Sequence, residues 1–220
     1  MTTPPSKAGT KGVARADRER QVLAVATEEF GRHGYEATTV AAIAARVGVT
    51  KPLLHQYFGA KQDLYLACLT PIGDQLVTAI RTAMAQNDAT APHTPLLVLH
   101  SLFTALEGRR EAWFVLYDPS LPPDSEPARS AAHYRAAIDD LAATGTTDLL
   151  HAAGSDDPLD ADALKHAWRG LATALVRWWI KHPDQSPDAM AERCARLFAV
   201  AVSALAQNTG ALADPVTPRD

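Results

Sequence analysis

At 220 residues, with 47% hydrophobic and 21% charged residues and a formal net charge of −4, the chain has an ordinary globular composition and enough length for a sizeable core. No apolar run reaches about 18 residues, the N-terminus has no apolar signal core, and the two cysteines, Cys68 and Cys194, have neither metal-ligand nor disulfide-framework spacing. Membrane-spanning and disulfide-stapled classes are therefore set aside, and a cytoplasmic protein is expected.

Alanine dominates the apolar set and β-branched runs are scarce, so an all-α fold is expected. Charge is uneven along the chain. Up to Leu66 there are nine Lys and Arg against six Asp and Glu; from Ala67 on, twelve against nineteen. A basic first third on an acidic remainder suggests a polyanion-binding end.

Residues 1–15, rich in Thr, Pro, Gly and Lys, read as a disordered basic arm. Leu23, Ala26 and Phe30 then recur at helical spacing, and Gly31 and Gly34 are expected to end that helix. Thr38-Thr39 offers an N-cap for a short helix over Val40–Arg46, and Gly48 makes a turn. Thr50 caps a second short helix with Pro52 in its first turn, where a missing N–H costs little. A long helix starts near Lys61, with Pro71 inside it expected to kink it. Leu96, Leu99, Phe103 and Leu106 mark another amphipathic helix. The proline-rich stretch 118–127 reads as loop, and 128–153 as one helix with Gly145 as its weak point. Two final helices carry the stripes Trp168, Leu171, Ala172, Leu175, Trp179 and Cys194, Leu197, Phe198, Ala201, Leu205. Residues 208–220 read as a second disordered segment.

Two short helices joined by a tight glycine turn form the helix-turn-helix pattern. Ile43, Ala44, Val47, Val49, Leu54 and Phe58 supply a small core, and Ala44 must be small where helices approach closely. The outer face of residues 50–57 is then left to enter a major groove.

Over residues 20–65 the signposts Ala26 and Phe30, Gly34-Tyr35, Thr38-Thr39, Ile43-Ala44, Gly48-Val49-Thr50, Tyr57-Phe58, Lys61 and Leu64 stand in register. This stretch resembles the DNA-binding region of the TetR family of transcriptional regulators. The resemblance implies an all-α chain with a three-helix helix-turn-helix DNA-binding domain over 16–66. A larger helical ligand-binding and dimerisation domain over 67–207 would follow it. It implies phosphate contacts for Thr39, Thr50, Lys51, Tyr57 and Lys61, and base reading by Lys51, Pro52, Leu53, His55 and Gln56. Gln can bond adenine, Lys can donate to guanine, and Pro or Leu can pack on a thymine methyl. Two positions depart from the family pattern: His55 stands where Tyr is usual, and Val40-Ala41-Ala42 offers no long polar side chain. The arm residues Lys7, Lys11 and Arg15 could compensate from a minor groove.

For the C-terminal part the resemblance implies a ligand pocket and a homodimer. The candidate pocket residues are His100, Phe103, Glu107, Trp113, Phe114, Tyr117, Tyr134 and Trp168. The candidate interface residues are Leu171, Leu175, Trp179, Leu197, Phe198, Ala201 and Leu205. Of the adjacent Trp178 and Trp179, one ring is expected in the core and the other near the surface. The expected partners are double-stranded operator DNA, a small-molecule effector and a second copy of the chain, with no metal or cofactor. The expected activity is that of a repressor released from a palindromic operator. Enzymatic function is disfavoured by the lack of a Gly-x-Ser-x-Gly, His-Glu-x-x-His, phosphate-loop or Cys-x-x-Cys motif. A ligand-blind DNA-binding protein is the remaining rival.

Overall fold

Helix α1 (Arg15–Ala37) forms because Val22, Ala26 and Phe30 recur on one face and are buried there. The structure is a computed structural model describing residues 15–86 and 93–212, with side chains to Ala204. Of the arm expected over 1–15, all but Arg15 lies outside the described residues, as do 213–220 of the expected tail. α1 does not stop at Gly31. It passes through and breaks at Gly34, whose φ of 77° and ψ of 170° are values that glycine adopts without a Cβ penalty.

The remaining helices are α2 (Val40–Val47), α3 (Lys51–Phe58), α4 (Lys61–Ala85), α5 (Thr94–Leu106), α6 (Ala112–Leu116), α7 (Glu126–Ala152), α8 (Pro158–Ile180) and α9 (Pro187–Leu212). No strand occurs among the described residues, and none of their helices is long and apolar enough to cross a membrane. Helix α4 continues through Pro71, and α7 continues through Gly145. Two expectations need correction. The short α6 was not anticipated. The tail expected from Asn208 is helical as far as Leu212, because an alanine-rich helix extends cheaply once formed.

The chain divides into two compact units: residues up to Gly73 together with Glu111–His133, and Asp74–Arg110 together with residues from Tyr134 on. This differs from the expected cut between 66 and 67. Residues 111–133, α6 among them, go with the helix-turn-helix.

In the first unit, Val22, Ala26, Phe30, Ile43, Ala44, Val47, Leu54, Leu64 and Tyr65 are buried. The rings of Phe30 and Tyr35 both meet Tyr65 edge-on, with centroids 4.8 and 5.2 Å apart. Arg46 reaches back to Glu28 and Glu29, and Arg32 pairs with Glu28 and Glu111, so ion pairs tie α1 to α2 and to the start of α6.

The second unit packs around Leu76, Leu99, Phe103, Leu106, Val176, Trp179 and Met190. Phe103 meets Trp179 edge-on at 5.4 Å. The Arg110 guanidinium lies 4.0 Å from the centroid of the Trp179 ring and donates to the carbonyls of Trp179, His182, Pro183 and Gln185 at 2.9–3.1 Å. One cation thus satisfies the carbonyls at the end of α8 and in the turn before α9.

Candidate nucleic-acid interface

Thr39 starts α2 in extended backbone, and its Oγ1 accepts from the Ala42 amide at 3.1 Å. Gly48 ends α2 in the left-handed region, at φ 75° and ψ 32°, and the Val49 amide reaches back to the Ala44 carbonyl at 3.0 Å. Thr50 then caps α3, accepting from the Leu53 amide, with Pro52 in the first turn as expected. The turn between the helices is therefore fixed by local chemistry alone.

Leu54 faces inward and is buried. Lys51, Pro52, His55 and Gln56 are exposed, and Leu53 and Tyr57 are half-buried beside them. With Leu54 buried, Lys51, Pro52, His55 and Gln56 make up the exposed surface of α3. Thr39 and Thr50 are also exposed, each at a helix start whose first amides have no intrahelical acceptor. On α2 the exposed residues are Ala41, Ala42, Ala45 and Arg46, and Arg46 is committed to Glu28 and Glu29. Phe58, expected in the small core, is only half-buried.

Lys61 is more constrained than the sequence suggests. Its Nζ donates to the Glu36 carbonyl at 3.3 Å and sits 4.4 Å over the Tyr35 ring. Burial pulls its pKa down, and Asp118 and Glu36 oppose that. Arg15, paired with Glu19 and raised in pKa by it, lies 5.2 Å over the Tyr57 ring. Arg15 thus lies beside α3.

The connection from α1 to α2 is held from outside. The Tyr35 amide donates to Asp118 Oδ2 at 2.6 Å, and the Glu36 amide donates to Ser120 Oγ at 3.1 Å. Asp118 also accepts from the Ser120 amide and hydroxyl at 2.8 and 2.7 Å and is buried. Tyr65 donates to the Val115 carbonyl at 2.6 Å, its oxygen 3.3 Å from Asp118 Oδ2. Thr38 closes the same stretch, its hydroxyl donating to the Glu29 carbonyl at 3.1 Å.

Residues 22–68 match the model of the tetR family of bacterial regulatory proteins. These residues form a TetR-type DNA-binding domain. Over 70 residues, 32% of its length, it is 44% identical to the HTH-type transcriptional activator FasR of Mycolicibacterium smegmatis, and that match spans 32% of FasR. Among solved structures it is similar to a TetR-like transcriptional regulator from Rhodococcus sp. RHA1, at 26% identity and TM-score 0.59, covering 82% of this chain and 93% of the other. FadR from Bacillus subtilis, solved in complex with stearoyl-CoA, shares the fold at 17% identity and TM-score 0.56, covering 79% and 95% of the two chains.

The expected pocket residues fall in both units. Trp113, Phe114 and Tyr117 fall in the first, with the Trp113 and Tyr117 rings 4.6 Å apart. His100, Phe103, Glu107, Tyr134 and Trp168 fall in the second. There His100 meets Asp188 at 2.7 Å, Tyr134 donates to Asp74 at 2.8 Å, and Glu107 is exposed. A cleft of about 310 Å³ lies between the end of α7 and the start of α8, lined by residues such as Leu150, His151, Asp156 and Lys165. None of the eight expected residues lines it.

Of the expected interface residues, Leu171, Leu175 and Phe198 are half-buried, Leu197 is 54% exposed and Ala201 is exposed; the Leu205 side chain lies outside the described residues. Trp179 is a correction. It is 0% exposed, enclosed by Phe103 and Arg110, and cannot meet another molecule. Its neighbour Trp178 is the outward ring, as one of the pair was expected to be. Val200, 68% exposed on the same helix as Leu197, was missed. Asp118 was missed too. The only sequence signal for it is the Asp-Pro-Ser run at 118–120, a turn former.

Proposed function

We propose that the chain is a sequence-specific DNA-binding repressor that acts as a homodimer and leaves a palindromic operator when a small hydrophobic or aromatic molecule binds. The observation that carries this reading is the outward face of α3, where Lys51, Pro52, His55 and Gln56 stand exposed over the buried Leu54. Lys51, Thr39, Thr50 and Tyr57 would hold phosphates, with Lys61 brought in from its seat on Tyr35. Pro52, Leu53, His55 and Gln56 would read base edges, with Lys51 reaching a guanine.

A short recognition helix binds firmly when two copies read successive major grooves about 34–36 Å apart. The apolar positions Leu197, Val200 and Ala201 of α9, with Leu171, Leu175 and Phe198, are the surface we assign to the second copy. The effector would favour a state unable to bind DNA and shift the population to it. FadR's bound stearoyl-CoA makes a long-chain acyl-CoA the first compound to try.

The test is selection of duplexes from a random library by the purified protein, followed by salt titration on the best sequence. One palindromic site bound about 10³-fold or more above random DNA supports the reading. Uniform, salt-sensitive binding without a preferred site would replace it with a ligand-blind architectural role.

A further inference from the structure

We propose that Asp118 is a positioning residue for DNA recognition: a buried carboxylate that sets the orientation of the helix-turn-helix by gripping the chain just ahead of it. The inference rests on the DNA-binding reading above. Gly34 takes α1 out of helical geometry, and the Tyr35 and Glu36 amides follow directly on that break. Asp118 and Ser120 accept from these amides, at 2.6 and 3.1 Å. Three residues after Glu36, Thr39 begins α2. The same stretch carries the Tyr35 ring and the Glu36 carbonyl on which Lys61 rests. One carboxylate therefore fixes both the start of α2 and the seat of a cation assigned to phosphate.

A buried charge is tolerated only when its acceptor capacity is met. Asp118 meets this with the Tyr35 amide on one oxygen and both Ser120 donors on the other, the Tyr65 hydroxyl lying nearby. Such a carboxylate specifies geometry, because each donor must come to a defined place. Amide replacement keeps the shape and puts a donor where an acceptor is needed.

The experiment uses the full chain and the duplex that the wild-type protein selects from a random library. Asp118→Asn and Ser120→Ala are compared with wild type in affinity for that duplex, affinity for random duplex, salt slope and thermal midpoint, with binding measured well below every midpoint. The expected result is about a tenfold or greater loss on the selected duplex, with random-duplex affinity and salt slope unchanged in both variants. Misorientation spoils fit to bases and leaves the charge count intact. A lowered midpoint with the specific-to-random ratio unchanged would overturn the proposal and leave Asp118 a stabilising group only. Should Asp118→Asn fail to fold, an unchanged ratio in Ser120→Ala overturns it equally. Failure of the wild-type protein to select any duplex would sink the DNA-binding reading itself, and this inference with it.

Discussion

The Glu111 carbonyl oxygen occupies the space where a side chain on Gly31 would begin: a Cβ at Gly31 would stand 2.2 Å from it. Helix α1 is pressed at this point against the backbone that opens α6, and the Arg32 to Glu111 ion pair spans the same junction. Backbone cannot swing aside as a flexible side chain can. Gly31→Ala is therefore expected to destabilise the first unit by about 1–3 kcal/mol through overpacking. A urea titration followed by circular dichroism reads the change; an unchanged midpoint would show that the contact yields without cost.

Lys51 and Gln56 share the outward face of α3 but are expected to fail in different ways. Lys51→Ala should weaken binding to every duplex and reduce the salt slope by about 1 if Lys51 contacts phosphate. Gln56→Ala should cost about 1–3 kcal/mol on the preferred site and relax preference at one base position. Repeating the library selection with each variant separates the two. A Gln56 variant with unaltered base preference would remove Gln56 from the reading set.

Trp179 belongs to the core of the second unit, so Trp179→Ala is expected to cost about 3–5 kcal/mol. The loss includes the stacking surface for Arg110 and the indole donor that reaches the Gln185 carbonyl at 2.7 Å. Denaturant unfolding measures it. A variant that keeps its stability and only loses self-association would return Trp179 to the interface.

His151 carries a raised pKa because Asp156 accepts from its ring and attracts its charge. A pKa higher in the folded than in the unfolded chain gives a contribution fully present below the unfolded value of about 6.5 and lost as pH climbs through the folded value. An NMR titration of the histidine ring should show the elevated midpoint, and Asp156→Asn should return it towards the ordinary value. An Asp156→Asn titration identical to wild type would remove Asp156 as the cause.

The parts of the fold legible in the sequence are those governed by neighbours along the chain. Thr39, Gly48 and Thr50 announce their caps and turn because a hydroxyl or a missing Cβ acts within three residues. The outward Pro52, His55 and Gln56 follow from helical period once Leu54 is taken as core, whereas Lys51, three residues before Leu54, is exposed as the first residue of α3. The grip of Asp118 on Tyr35 joins residues 83 positions apart, and no local pattern encodes it. Trp179 was misplaced for a related reason: a stripe at helical spacing shows that a face is covered, without showing by what. Phe103 and Arg110 cover it here. Helix α6 is five residues long, too short for a period to show.

The two cysteines lend themselves to a use of their own. Cys68 is buried in the first unit, its thiol pushed up to about 12 by desolvation, and Cys194 is buried in the second, also raised by burial. A protonated, enclosed thiol does not react until the structure around it opens. The unmodified protein therefore carries one internal clock in each unit. Alkylation rates at Cys68 and Cys194, resolved by mass spectrometry, would time the opening of the two units separately, with and without DNA, and no engineered label would be required.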